Sequence, residues 1–221
     1  NYQKYLEDNN ITVQYLYIPQ VYNKPLRKEK IVIDFPYEKF DKIGIYAGTI
    51  GSFYQIENLL KYFPDNLREK IAIIIIGDGD KWNHINDLIK ENHFTNIFLM
   101  KSVNKELLLN YYEISDFAIS SHPSEPDLYK YGLCPLKDID YMYNKLPVLF
   151  MGDKSYLNNS SSNGIVEVDS NDKYCIEKIL NYISNLSKEE LKMLGLENYK
   201  TVERFNNPKL LYNLYESIIY E

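Results

Sequence analysis

The stretch Ile71-Ala72-Ile73-Ile74-Ile75-Ile76-Gly77-Asp78-Gly79-Asp80 decides the fold. An unbroken apolar run with no polar alternation suits a strand covered on both faces, as in the interior of a parallel sheet. The Gly-Asp-Gly-Asp that follows ends the strand. Working outward, the same pattern repeats on both sides. Short apolar strands are predicted over Lys42–Ala47, Asn96–Met100, Asp116–Ser120, Pro147–Phe150 and Gly164–Val168. Helical spacing fills the intervals at Phe53–Phe63, Lys81–Asn92, from an Asn104 cap to Ile114, and from Pro135, read as the first helical residue, to Asn144. Helices over Asn171–Leu186, Ser187–Val202 and Pro208–Tyr220 close the chain. Near the start, Thr12–Ile18 alternates weakly and reads as a strand stopped by Pro19, and Gln20–Phe40 reads as a linker. Strand–helix alternation of this kind predicts an α/β fold, a mostly parallel sheet with helices on both faces. Ligands of such sheets bind beyond the carboxyl ends of the strands. The loops to inspect are therefore Gly48–Phe53, Gly77–Asp80, Lys101–Asn104, Ser121–Cys134 and Met151–Lys154.

Composition narrows the classes. The 221 residues carry 25 Lys plus Arg against 31 Asp plus Glu, a net charge of −6. An acidic balance without a basic run argues against a nucleic-acid partner. Two cysteines, Cys134 and Cys175, cannot staple a fold of this size and read as free thiols of a reducing compartment. No apolar run approaches the roughly 18–20 residues that cross a bilayer, and the polar first ten residues do not resemble a signal peptide. The 22 tyrosines read as the compositional bias of an AT-rich coding sequence rather than as a binding surface.

Three constellations could carry chemistry. Gly48-Thr49-Ile50-Gly51 joins a strand to a helix, where glycines let backbone approach a ligand and a helix N-terminus offers N–H groups to an anion; the competing reading is a plain tight turn. Asp78 and Asp80 could form a metal-holding DxD pair, or simply a strand-to-helix turn with an acid near the helix start. Tyr131-Gly132-Leu133-Cys134-Pro135-Leu136-Lys137-Asp138-Ile139-Asp140-Tyr141-Met142 feeds a glycine loop into a helix whose N-terminus faces the ligand side. Lys137 in the first turn opposes the helix dipole, which an anion nearby would explain. Asp140, at i+3, could accept both hydroxyls of a ribose; a Lys137–Asp140 surface pair is the alternative. His84, His93 and His122 lack metal-ligand spacing. Only His122 lies in a ligand-side loop, and no metal site is expected.

These segments, taken in order, resemble the C-terminal nucleotide-sugar-binding domain of GT-B glycosyltransferases, family 4 (group 1), over residues 11–219. Tyr46 to Gly51 with Gln55 is similar to the pattern Y-x-G-N-[LI]-G-x-x-Q, with Thr49 in place of Asn. Ile74 to Gly79 resembles the strand end "ivGdG", and Ser115 to Ser120 resembles "a-D-v-x-l-x". Phe98 to Val103 with Glu106, Leu107, Tyr111 and Tyr112 resembles "v-f-l-g-x-v" and the helix "e-l-x-x-y-y". Most specific is Tyr131 to Val148, similar to "y-G-i-S-P-N-K-l-f-D-Y-M-a-a-G-K-P-V", with matches at Gly132, Pro135, Lys137, Asp140, Tyr141, Met142, Lys145, Pro147 and Val148. Two departures stand out. Of the family's two glutamates seven residues apart, the second falls on the shorter Asp140 and the first has only Glu125 nearby. The Arg and Lys that clamp the diphosphate are replaced by Thr49 and Tyr54.

The resemblance implies a Rossmann-like donor domain, the C-terminal half of a GT-B fold, over 41–203. Residues 1–40 would be a remnant of the N-terminal domain with the interdomain linker, and 204–221 a C-terminal helix returning towards that domain. It implies a nucleoside-diphosphate sugar, most often UDP-linked, and retaining, metal-independent transfer without a cofactor, driven by stabilising the leaving diphosphate. The donor residues it implies are Gly48, Thr49, Ile50, Gly51 and Gly77, the loop Lys101, Ser102 and Val103 for the base, and Gly132, Leu133, Cys134, Pro135, Leu136, Lys137 and Asp140. Lys137 would supply phosphate charge, with His122 and Glu125 as weaker candidates. The acceptor, a saccharide or lipid-linked saccharide of a growing bacterial surface polysaccharide such as capsule or O-antigen, would be met by an absent N-terminal domain. The expected place is the cytoplasm, with any membrane association through that half, and this chain alone is expected to transfer nothing. Three alternatives remain: a nucleotide-sugar epimerase, a metal-dependent GT-A enzyme using Asp78 and Asp80, or a non-catalytic partner domain with a degenerate donor site.

Overall fold

The computed structural model describes residues 2–13, 20–22, 33, 36–122, 131, 135–153, 161–168 and 172–219. Among them, six strands form one sheet: β1 Lys42–Ala47, β2 Ile71–Ile76, β3 Ile97–Met100, β4 Phe117–Ser121, β5 Val148–Met151 and β6 Ile165–Val168. Their order is β3-β2-β1-β4-β5-β6, and each adjacent pair is parallel. The helices are α1 Tyr2–Asp8, α2 Ile56–Lys61, α3 Trp82–Glu91, α4 Lys105–Ile114, α5 Leu136–Tyr143, α6 Lys173–Asn185, α7 Lys188–Phe205 and α8 Pro208–Ile219.

The period of two along each central strand divides the core in half. Ile71, Ile73 and Ile75 of β2 with Phe117 and Ile119 of β4 face α2, α3 and α6. Ile74 and Ile76 with Ile43, Ile45 and Ala118 face α4, α5 and α7. Every residue of β1 and β2 is buried; each isoleucine so enclosed contributes about 1.5–3 kcal/mol relative to exposure. The isoleucine run is therefore the spine of a doubly covered sheet, as its lack of alternation predicts.

Several helix starts follow local chemistry. The Asn104 side chain accepts from the Leu107 amide at 2.8 Å, and Ser187 with Glu190 closes a reciprocal capping box on α7. Asn198 of α7 is fully buried and ties strand ends to that helix, donating to the carbonyls of Leu146 (2.7 Å) and Gly164 (3.0 Å) and accepting from Ser162. The Cys175 thiol donates to the Asp172 carboxylate at 3.3 Å; Cys134 lies outside the described residues.

Three expectations need correction. The helix read over Phe53–Phe63 is instead a 3-10 turn, Ser52–Tyr54, then Gln55 with φ +36°, then the short α2. The left-handed Gln55 resets the chain direction and leaves Tyr54 beside the sheet's carboxyl end. Pro135 is not the first residue of α5 but precedes it: its ψ of 124° is extended, and its carbonyl accepts from the Asp138 amide at 3.1 Å. In the predicted strand Thr12–Ile18, Thr12 and Val13 are not strand and 14–18 lie outside the described residues.

Candidate functional site

The sheet order reverses direction between β1 and β4, which pair only at Gly44–Phe117 and Ile45–Ala118. Beyond those pairs no ladder joins the two strands, and this switch point is where doubly wound sheets take ligands, in a crevice at their carboxyl ends. Two residues further on, the Ala47 amide and carbonyl are taken by one side chain instead. The Tyr141 hydroxyl accepts from Ala47 N (2.7 Å) and donates to Ala47 O (3.1 Å). Tyr141 is fully buried, so this contact fixes α5 against the mouth of the crevice.

The first glycine loop is held from below. Gly48 N donates to Ile76 O (3.0 Å), Ile50 N to Asp78 O (2.9 Å), and Lys81 N to Ile50 O (3.0 Å). The Tyr46 hydroxyl donates to Thr49 O at 2.5 Å. A Cβ at Gly77 would lie 1.9 Å from Gly48 O, and one at Gly79 would lie 2.3 Å from Ile50 O; only glycine permits two loops to lie this close. Two of the four loop amides, Gly48 and Ile50, are thus engaged with protein, and the Ile50 side chain is core. The tight turn is therefore real; Gly48 is half-buried, Thr49 exposed, and Ile50 and Gly51 buried.

Lys137 projects from the first turn of α5 across this loop. Its stem is partly exposed, but Nζ is closed off from solvent and has no hydrogen-bond partner. It lies 4.1 Å from the Tyr54 ring centroid and 4.8 Å from that of Tyr46, contacts that offset part of the desolvation of an ammonium. Burial pulls the Lys137 pKa down to about 8, with Asp138 opposing the shift. The expected alternative, a Lys137–Asp140 pair, does not form. Asp140 instead meets Lys105 of α4 at 2.9 Å. Burial raises its carboxyl above the usual range while Lys105 draws it back. Lys105 also lies 4.9 Å from the Tyr22 ring, which stacks on Tyr143.

Of the other expected residues, Lys101 pairs with Asp78 at 3.1 Å and lies 4.0 Å over the Trp82 ring. Ser102 is exposed and Val103 half-buried, between β3 and α4. Leu136 is exposed at the start of α5. His122 is buried beyond β4, its Nε2 3.0 Å from Ser120 Oγ and its ring stacked on Phe150; burial drives its pKa down to about 3, with Lys137 adding to the shift. Gly132, Leu133, Cys134 and Glu125 lie outside the described residues. Asp78 and Asp80 are turned to Lys101 and Ser52, and among the described residues no group of three His, Cys, Asp or Glu could hold a metal ion.

Sequence reading missed Asp138, Tyr46, Tyr54 and Lys105. Asp138 is buried, with neither oxygen in a well-formed hydrogen bond. Burial raises its pKa to about 6, against the pull of Lys137 and the Ser120 hydroxyl. The signal was available: 138, 141 and 142 form one helical stripe, and Asp138 interrupts an otherwise apolar one. The tyrosines, read as compositional bias, supply both the aromatic walls around Lys137 and the anchor of α5.

No protein-family model matches the chain, and no curated protein does. Solved structures do. TarM from S. aureus, as a mutant in complex with fondaparinux, α-GlcNAc-glycerol and UDP, is 15% identical over 100% of this chain and 42% of its own, with a TM-score of 0.63. Sucrose-phosphate synthase from Thermosynechococcus elongatus is 17% identical over 85% and 47%, at 0.62. The C-terminal domain of the glycosyl transferase group 1 family protein LpcC from Francisella tularensis is 15% identical over 77% and 90%, at 0.56. The chain thus spans less than half the length of the first two. At such identities the likeness establishes architecture: the sheet and its helices have the Rossmann-like fold of GT-B glycosyltransferases. Among the described residues no helix is long and apolar enough to cross a membrane.

Proposed function

We propose that the chain is the donor-binding half of a glycosyltransferase and takes a nucleoside-diphosphate sugar, UDP-linked, in the crevice between β1 and β4. One observation carries the reading: the Lys137 ammonium is buried at the N-terminal turn of α5, over the Gly48–Gly51 loop, without an acceptor. A lysine there works against the helix dipole and against burial; a diphosphate would reverse both effects. In this reading the diphosphate meets Lys137, the first amides of α5 and the backbone of the glycine loop. Asp140 receives the ribose hydroxyls, and main-chain groups of Lys101–Val103 meet the base. Lys137 then stabilises charge developing on the leaving diphosphate, a role that needs no metal and suits retaining transfer. The UDP complex of the similar TarM structure supports the choice of nucleotide.

The division of the chain expected from sequence belongs to the same proposal: residues 1–40 from the end of an N-terminal domain, 41–203 as the donor domain, 204–221 as a returning helix. A partner domain across the crevice would bring the acceptor, a saccharide or lipid-linked saccharide of a bacterial surface polysaccharide. The 221-residue chain would bind UDP weakly and transfer nothing alone. Calorimetry with UDP tests this, with Lys137→Ala and Asp140→Ala as controls. Absence of binding, or binding indifferent to both substitutions, overturns it. A second reading, a partner domain with a degenerate donor site, is favoured by the Lys105–Asp140 pair, which occupies the ribose carboxylate; it predicts no nucleotide binding even beside an N-terminal domain.

A further inference from the structure

Next to Lys137 in sequence is a second group that the donor reading does not use. Asp138, the next residue of α5, is buried with neither carboxylate oxygen in a well-formed hydrogen bond. No ion pair joins it to Lys137, although the two are adjacent. Among the described residues the titratable and hydrogen-bonding groups around it are few. Lys137 and Tyr141 come from its own helix, Tyr46 from β1, Ser120 from β4 and His122 from just beyond it. β5 offers only apolar side chains, and α7 directs Glu203 to Tyr143 at the far end of α5. His122 is neutral there, and the tyrosines hold their protons because burial raises them. Lys137 is therefore the one charged neighbour of Asp138 among these groups. An ionised carboxylate so poorly hydrogen-bonded is tolerable in such a place only beside a cation that nothing else neutralises. In the similar pattern quoted above this position is leucine, so the carboxyl is not part of the resemblance.

Resting on the donor-site reading, we propose that Asp138 is a positioning residue that couples diphosphate binding to uptake of one proton. With the crevice empty, an ionised Asp138 balances Lys137. When a diphosphate arrives, Lys137 is neutralised from the other side, and Asp138 is left buried next to new negative charge. It takes a proton from solvent onto Oδ1 or Oδ2, and no other bond changes. Between about pH 6, where the empty-state carboxyl titrates, and about pH 8, where Lys137 loses its own charge, affinity should fall close to tenfold for each pH unit.

The test is calorimetry of the whole 221-residue chain with UDP-glucose, whose diphosphate diester does not titrate in this window. Titrations run at about pH 6, 7 and 7.5 in pairs of buffers of different ionisation enthalpy, which count protons directly. Wild type should take up close to one proton per ligand at about pH 7. Asp138→Asn and Asp138→Leu, both checked by thermal melts, should take up almost none, bind about tenfold tighter at about pH 7 and lose the pH slope. Two uncharged variants of different shape guard against one failing to fold. Equal proton counts and slopes in wild type and either folded variant overturn the coupling while the donor site stands. Absence of UDP-glucose binding in all three proteins at every pH overturns both.

Discussion

Replacing Lys137 by Met in an Asp138→Asn background, where no buried carboxylate loses its cation, should make the protein more stable and less able to bind nucleotide than Asp138→Asn alone, and the two effects can be sized separately. A lysine moved from 10.5 to about 8 by burial destabilises the charged folded state by about 3 kcal/mol near pH 7. The two flanking tyrosine rings return about 1–2 kcal/mol of that. Methionine fills the same channel with a side chain that packs well on aromatic rings. The net gain is about 1–2 kcal/mol, a rise in Tm of roughly 3–6 °C. The pH dependence checks the cause. The folded state binds fewer protons than the unfolded chain between about 8 and 10.5, so the stability of the Asp138→Asn parent rises with pH in that window. The double variant should be flat there. Measurements stop near pH 9.5, since buried Tyr46, Tyr112 and Tyr141 hold their protons when folded and reverse the trend above that. Urea melts at about pH 7 and 9.5 with an unchanged slope give the stabilities, and calorimetry gives the UDP affinity, expected to fall at least about 30-fold. A less stable variant with the same slope refutes the account of Lys137 as a buried unsatisfied cation. A more stable variant that binds UDP like its Asp138→Asn parent refutes the role of Lys137 in the site.

Other perturbations separate the site from its scaffold. Gly77→Ala puts a methyl 1.9 Å from Gly48 O, so the glycine loop must move; melts should show a loss of about 1–3 kcal/mol and calorimetry a larger proportional loss of UDP binding. Asp140→Ala should lower UDP affinity about tenfold, the scale of one charge-assisted pair of hydrogen bonds, and leave the folded stability nearly unchanged because its pair with Lys105 is partly exposed. Asn198→Ala should cost about 2–4 kcal/mol by leaving the Leu146 and Gly164 carbonyls unpaired, while UDP affinity per folded molecule stays at the wild-type value in the same calorimetry.

Much of the architecture was legible locally. The isoleucine run, the Asn104 and Ser187 caps and the strand–helix alternation each depend on neighbours close in sequence, so their physics is contained in a short window. The Phe53 helix failed for the same reason: Ile56, Leu59 and Leu60 carry the helical spacing, but nothing in the window says that Gln55 turns left-handed. In the candidate site, Gly48–Gly51, Gly77, Lys137 and Asp140 could be proposed from sequence because turns and helix starts leave marks there. Their partners could not. Lys105 reaches Asp140 across 35 residues, and the Tyr141 hydroxyl reaches Ala47 across 94.

The sequence by itself determined a doubly covered parallel sheet, the loops at its carboxyl edge and a glycine-fed helix carrying Lys137, because backbone preference and apolar periodicity are local properties. Only the tertiary structure decided the electrical state of that site. Whether Lys137 is a solvated surface charge or a buried cation, and whether Asp138 or Asp140 answers it, depends on which side chains close around them. Desolvation is set by atoms from β1, β4 and the turn at Tyr54 together, and no single segment contains it.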